Sequence, residues 1–147
     1  KFTTTGIVTG KTVSDVVTYY GDGSNLTGLV SGITTGIGTF IASAGVGTDI
    51  DIFNYTTDDY KTVDYTLHFE NVETQAQKVL LMQNNGSVYT NEFAVMYSGS
   101  DPIVSVGSSV DGNNIRLLAT PETGISGLTT YRWTKHVQKW GIIYDWI

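Results

Sequence analysis

The 147-residue chain carries 14 acidic and 8 basic residues for a net charge of −6, with 15% charged and 40% hydrophobic residues. It has no cysteine, which excludes disulfide staples, thiol nucleophiles and thiolate metal sites, and its acidic balance excludes the clustered Lys and Arg that neutralise nucleic-acid phosphate. The weakly apolar run at 36–47 is rich in Gly and too short to cross a bilayer as a helix, so no membrane insertion is expected.

Composition shifts near Thr48. Residues 1–48 hold 10 of the 17 glycines, and their only charged residues are Lys1, Lys11, Asp15 and Asp22. Thr5-Gly6-Ile7-Val8-Thr9-Gly10 is echoed by Thr27-Gly28-Leu29-Val30-Ser31-Gly32 and, in shorter form, by Thr35-Gly36-Ile37-Gly38-Thr39. The echoes are unevenly spaced, so they do not form a solenoid repeat. Short β-branched pieces between glycines predict brief extended segments joined by turns, and Gly, Thr and Val are poor helix formers. The stretch is too apolar for a disordered tail and too glycine-rich to close a core of its own. It is expected to be a shaft or collar sheltered by other copies of the chain, with Ile7, Val8, Leu26, Leu29, Val30 and Ile33 in the interface. The alternative is an arm packed on its own domain. The first residue is Lys rather than Met, as in a fragment, a processed product or the ordered part of something longer.

Residues 49–147 read as strands throughout. A first strand is expected around Ile50, Ile52 and Phe53. Residues 61–70 alternate cleanly, with Val63, Tyr65, Leu67 and Phe69 on one face and Thr62, Asp64, Thr66, His68 and Glu70 on the other, the period-2 pattern of a half-buried strand. The apolar run Val79-Leu80-Leu81-Met82 leads through Asn84-Asn85-Gly86-Ser87 into 88–97, and Asn-Gly suits the positive φ of a tight hairpin. Residues 103–110 and 115–120 flank a second such turn at Asp111-Gly112-Asn113-Asn114, with Ile115, Leu117 and Ala119 facing one way. Residues 128–138 alternate again, with Tyr131, Trp133 and Val137 on the buried side. Short strands with turns every 8 to 12 residues or so predict an all-β, antiparallel sandwich or jelly-roll-like domain, with a single covered sheet as runner-up. The apolar end Trp140-Gly141-Ile142-Ile143-Tyr144-Asp145-Trp146-Ile147 is unlike a frayed terminus. It is expected to be ordered, as a last strand or pressed into a neighbour, with Trp140, Ile143 and Trp146 in the oligomer interface.

Chemistry-bearing constellations are sparse. His68 and His136 fall on the outward phase of their strands, and no Ser/His/Asp or metal pattern completes either one. Asp49, Asp51, Asp58, Asp59 and Asp64 form an acidic region without EF-hand spacing, which reads as a solvated face. Gly21-Asp22-Gly23-Ser24-Asn25 lacks the ending of a P-loop and is a turn. The triplets at Asn25, Asn54 and Asn85 fit the N-glycosylation pattern by chance in an Asn- and Thr-rich chain. Tyr19, Tyr20, Trp140, Tyr144 and Trp146 suit either sugar stacking or protein contacts. No catalytic residue, cofactor or metal is expected.

The segment Tyr19-Tyr20-Gly21-Asp22-Gly23-Ser24-Asn25-Leu26-Thr27-Gly28-Leu29 resembles the linking segments of virion structural proteins from tailed phages, especially those infecting marine cyanobacteria. The strand at 60–70, the hairpin at 78–97, Gly112-Asn113-Asn114-Ile115-Arg116-Leu117-Leu118-Ala119-Thr120-Pro121 and Tyr131-Arg132-Trp133-Thr134 are similar to the β modules of such fibre-like and appendage proteins. The resemblance implies a non-enzymatic component of an extracellular particle. Its partners would be copies of itself, by analogy a trimer, and other virion proteins. The place on the particle stays open between tail fibre, neck or baseplate appendage and capsid decoration. A carbohydrate- or receptor-binding module is the alternative, with Asp58, Asp59 and Tyr60 as the possible contact to a host surface glycan.

Overall fold

The computed structural model describes residues 33–139. Among them are eight strands: β1 (Ile33–Ser43), β2 (Thr48–Asn54), β3 (Tyr60–Glu70), β4 (Thr74–Asn84), β5 (Ser87–Tyr97), β6 (Val104–Asp111), β7 (Asn114–Pro121) and β8 (Ser126–Lys139). They form a five-stranded sheet in the order β1-β8-β3-β4-β5 and a three-stranded sheet in the order β2-β7-β6. Every described pairing is antiparallel. The fold is an all-β sandwich. Pairing β1 with β8 and β2 with β7 wraps the ends of the described chain around each other as in a jelly roll, whereas β3, β4 and β5 run as a simple meander.

Alternation builds the core. Val63, Tyr65, Leu67 and Phe69 of β3 and Val79 and Leu81 of β4 face Ile115, Leu117 and Ala119 of β7 and Val104 and Val106 of β6, all of them buried. Each such aliphatic side chain contributes about 1.5–3 kcal/mol by leaving water. The two turns foreseen from Asn and Gly join β4 to β5 and β6 to β7, with Asn85 (φ 49°), Gly86 (φ 84°) and Gly112 (φ 59°) in the left-handed region.

The expected boundary at residue 48 falls at the start of β2. β1, on its N-terminal side, pairs with β8 from Ile33↔His136 to Ser43↔Ser126, so residues 33–43 are a strand of the sandwich. Their glycines have a packing reason. A Cβ on Gly36 would enter the Trp133 indole, and one on Gly38 would strike the Tyr131 phenol. Residues 1–32 and 140–147 lie outside the described residues.

The sheet edges are closed by different means. A bulge between Asp49 and Asp51 breaks the β2 ladder, and another opposite Ala76 and Lys78 breaks β5 near Ala94, which has φ 53°. The edge of β6 is capped by side chains in place of a further strand. Gln75 Oε1 accepts from the backbone N–H groups of Ile103 (2.5 Å) and Val104 (3.1 Å), its Nε2 donates to Val104 O (2.9 Å), and Glu92 Oε2 accepts from the Val106 N–H (2.9 Å). Gln77 links the two, accepting from Gln75 Nε2 at 2.5 Å and donating to Glu92 at 2.7 Å.

Candidate functional site

The antiparallel register gives the sandwich two ends. At the proximal end β1 begins and β8 finishes, since Ile33 lies opposite His136 and Tyr60 opposite Lys139. The turns after β2, β4 and β6 share that end. The distal end consists of the connections β1–β2, β3–β4, β5–β6 and β7–β8.

The structure brings Asp58, Asp59 and Tyr60 together at the proximal end, and each has structural work there. Asp58 closes the turn: its Oδ2 accepts from the Asn54 N–H at 3.1 Å and its own N–H donates to Asn54 O at 2.9 Å. Asn54 Oδ1 accepts from the Thr56 and Thr57 N–H groups in the same turn. Asp59 (φ 54°) pairs with Lys61 at 3.3 Å on the surface. The Tyr60 ring lies on Phe53, centroids 5.2 Å apart. Burial raises the Tyr60 phenol pKa, with Asp58 and Asp51 adding to it.

Behind Tyr60, an ion pair sits between the sheets. Lys135 occupies the inward phase of β8 together with Tyr131, Trp133 and Val137, and its Nζ lies 2.8 Å from Asp51 Oδ2. The two side chains are 8% and 11% exposed. Tyr65 donates its OH to the same Asp51 oxygen at 2.7 Å. Burial pushes the Tyr65 phenol far above its ordinary pKa, and the charge and hydrogen bond of Asp51 push in the same direction. The rings of Trp133, Tyr60 and Phe53 surround the ammonium at 5.1, 5.3 and 5.5 Å from their centroids, close enough for cation–π attraction. Trp133 is fixed in turn by its Nε1–H, which donates to Ile50 O at 2.7 Å.

Asp51 reaches this position because of the β2 bulge. Past it, Asp51 faces Leu117 and Phe53 faces Ile115, which leaves Ile52 outside. Simple alternation over Ile50, Ile52 and Phe53 misses that shift. A lysine at the inward phase of 128–138 is the signal that could have revealed the pair. Asp49 faces outward instead and forms a two-pronged bond with Arg116, at 2.9 and 2.7 Å.

At the distal end a depression of about 310 Å³ is lined by Asn71, Glu73, Ser100, Asp101 and Thr123, beside the fully exposed Val72. Its walls are braced from within. Asn71 Nδ2 donates to Thr129 Oγ1 (2.7 Å) and Ser126 O (3.1 Å), and Ser100 donates to Asp101 at 2.9 Å. The Glu73 carboxylate folds over Gly99, close to where a Cβ would stand. Polar donors and acceptors on a braced rim can hold a hydroxyl-rich ligand.

His68 and His136 project from the outer face of the large sheet, with His68 Nε2 3.3 Å from Glu70. Among the described residues no His, Asp and Glu cluster could hold a metal ion. Of the expected interface residues, Ile33 is 54% exposed and heads a row with Ile37, Ile41 and Leu128 along the β1–β8 margin of the outer face. Ile7, Val8, Leu26, Leu29, Val30, Trp140, Ile143 and Trp146 lie outside the described residues.

No protein-family model matches the chain, and no curated protein matches it. The solved structures similar to it include three tailspike proteins of Acinetobacter phages. The phage AM24 tailspike has a TM-score of 0.44 and 10% identity over 76% of this chain and 27% of its own. The phage vB_ApiP_P1 tailspike has a TM-score of 0.45 and 14% identity over 84% of this chain and 26% of its own. Tailspike gp49 of phage Fri1, a capsular polysaccharide depolymerase, has a TM-score of 0.41 and 13% identity over 73% of this chain and 17% of its own. The chain thus spans at most about a quarter of the length of each.

Proposed function

We propose that this chain is a non-enzymatic structural module of a tailed-phage tail appendage, held in the particle by contacts with copies of itself, in threes. The reading begins from the resemblance at 19–29 to linking segments of such proteins. One geometric observation carries it further. β1 begins and β8 finishes at the proximal end, with Ile33 opposite His136 and Tyr60 opposite Lys139. The distal end is made of loops alone. Such polarity suits a module held through its proximal end with its distal loops presented outward. Interchain burial of Ile7, Val8, Leu26, Leu29, Val30, Trp140, Ile143 and Trp146 supplies the anchoring, at about 25 cal/mol per Å² of apolar area. A marine cyanobacterial host is part of the same proposal.

Light scattering on the full chain tests the anchoring: a trimer mass is expected, and a lower mass after Leu26→Asp with Leu29→Asp. A monomeric wild-type chain overturns the proposal. Incubation with capsular polysaccharides is expected to leave them intact, and depolymerisation would make the module an enzyme.

The second reading is a glycan- or receptor-binding module, favoured by the braced polar depression at the distal end. Asp58, Asp59 and Tyr60 are its other candidate contact, at the opposite end. Binding of full-length chain to host cells separates them, because Asp101→Ala acts only on the distal site and Asp59→Ala only on the proximal one.

A further inference from the structure

We propose that Lys135 and Asp51 join in an amide bond between their side chains, a covalent staple formed by the folded protein without added reagents. The inference rests on the interior geometry alone and is independent of any role in a virion. A nitrogen 2.8 Å from Asp51 Oδ2 lies about 3.5 Å from the carboxyl carbon, within the range of a near-attack pair, and such fixed pairs reach effective molarities of about 10⁵ M or more. The three aromatic rings around Nζ and the low exposure of both side chains remove water. A buried ion pair has lost the hydration of both its charges, and condensation to an amide removes both.

The step balances within the site. Lys135 Nζ passes one proton to Asp51 Oδ2, the oxygen it contacts, leaving an amine and a carboxyl group. The amine lone pair adds to Cγ, negative charge develops on Oδ1, and the Oδ2 hydroxyl is polarised for departure by the Tyr65 OH, which already donates to that atom. Nζ then yields a second proton to the Oδ2 hydroxyl, the Cγ–Oδ2 bond breaks, the carbonyl re-forms at Oδ1, and water leaves. One C–N bond forms, one C–O bond breaks, and nothing is oxidised or reduced. Tyr65 is the catalytic residue of this step. Trp133, tied to Ile50 O, is a positioning residue that walls the amine beside the β2 bulge.

The bond would tie β2 to β8, strands of opposite sheets whose linked residues are 84 positions apart. A chain without cysteine has no disulfide with which to do this.

Intact-mass spectrometry of the folded full chain tests the proposal. Wild-type protein is expected to be lighter than its sequence mass by one water, with a branched peptide joining the segments around Asp51 and Lys135 after proteolysis. Lys135→Arg is expected to restore the full mass, and Asp51→Asn to lose ammonia in place of water. Tyr65→Phe, which keeps the ring, is expected to slow the loss about a hundredfold. Wild-type protein that keeps its full mass after prolonged incubation overturns the proposal. So does a water loss that persists in Lys135→Arg, because it then comes from cyclisation of an aspartate on its own backbone. An unchanged rate in Tyr65→Phe overturns the role assigned to the phenol.

Discussion

Gly36 and Gly38 illustrate how much one absent methyl group decides. Each sits in β1 directly across from an aromatic residue of β8, and the rings lie where a Cβ would be. Gly36→Ala is therefore expected to force the strands apart and lower the unfolding free energy by about 1–3 kcal/mol, measured by denaturant titration. Gly107→Ala, where the added atom meets nothing within 4 Å, is expected to change little. The same residues mark where the sequence is hard to read. Glycine between Thr and Ile has the composition of a loose linker, and its partner Trp133 is nearly a hundred residues away along the chain. Tyr65 gives a second prediction at this scale. Its folded pKa lies above the unfolded value near 10, so at high pH the folded state holds a proton that the unfolded chain releases. Its contribution is complete below about pH 10 and is lost as the pH rises above it. Thermal unfolding followed from neutral pH to about pH 11 should show a falling melting temperature, with a flatter alkaline limb in Tyr65→Phe.

Among the elements, β3, β5, β6, β7 and β8 lie within a few residues of where alternation and Asn-Gly turns put them. Their side chains face neighbours at short range, and a period of two survives any arrangement of the sheets. What alternation could not carry was β1, which has no regular apolar face, and the bulge in β2, which turns Asp51 inward. The edge of β6 was equally hidden, because its cap comes from Gln75, Gln77 and Glu92 on other strands. That cap leads to a prediction. Glu92→Ala leaves the Val106 N–H and the Gln77 amide without their acceptor, at a cost of about 1–3 kcal/mol. The opened edge should also pair with other chains, because unpaired ladder groups template strand addition. Concentration-dependent light scattering of the variant at neutral pH measures this, with Glu92→Gln expected to stay close to wild type.

At the scale of the whole molecule, the candidate sites divide by end. The proximal loop that sequence composition singles out for its carboxylates is occupied with Asn54, Lys61 and Phe53. The distal depression draws residues from three separate loops, and no run of sequence announces it. Under the glycan-binding reading proposed above, adsorption of labelled protein to cells should fall with Asp101→Ala and Ser100→Ala while the light-scattering mass stays unchanged. The common end at which β1 begins and β8 finishes also governs how the sandwich takes force. Tension between residues 33 and 139 pulls on neighbouring strands at the same edge of the fold, so hydrogen bonds break one after another, like an opening zipper. Tension from the distal loops to the proximal end runs along the strands and loads whole ladders in shear. Under the binding reading proposed above, a load applied at the distal loops would run along this second axis, where whole ladders resist it together.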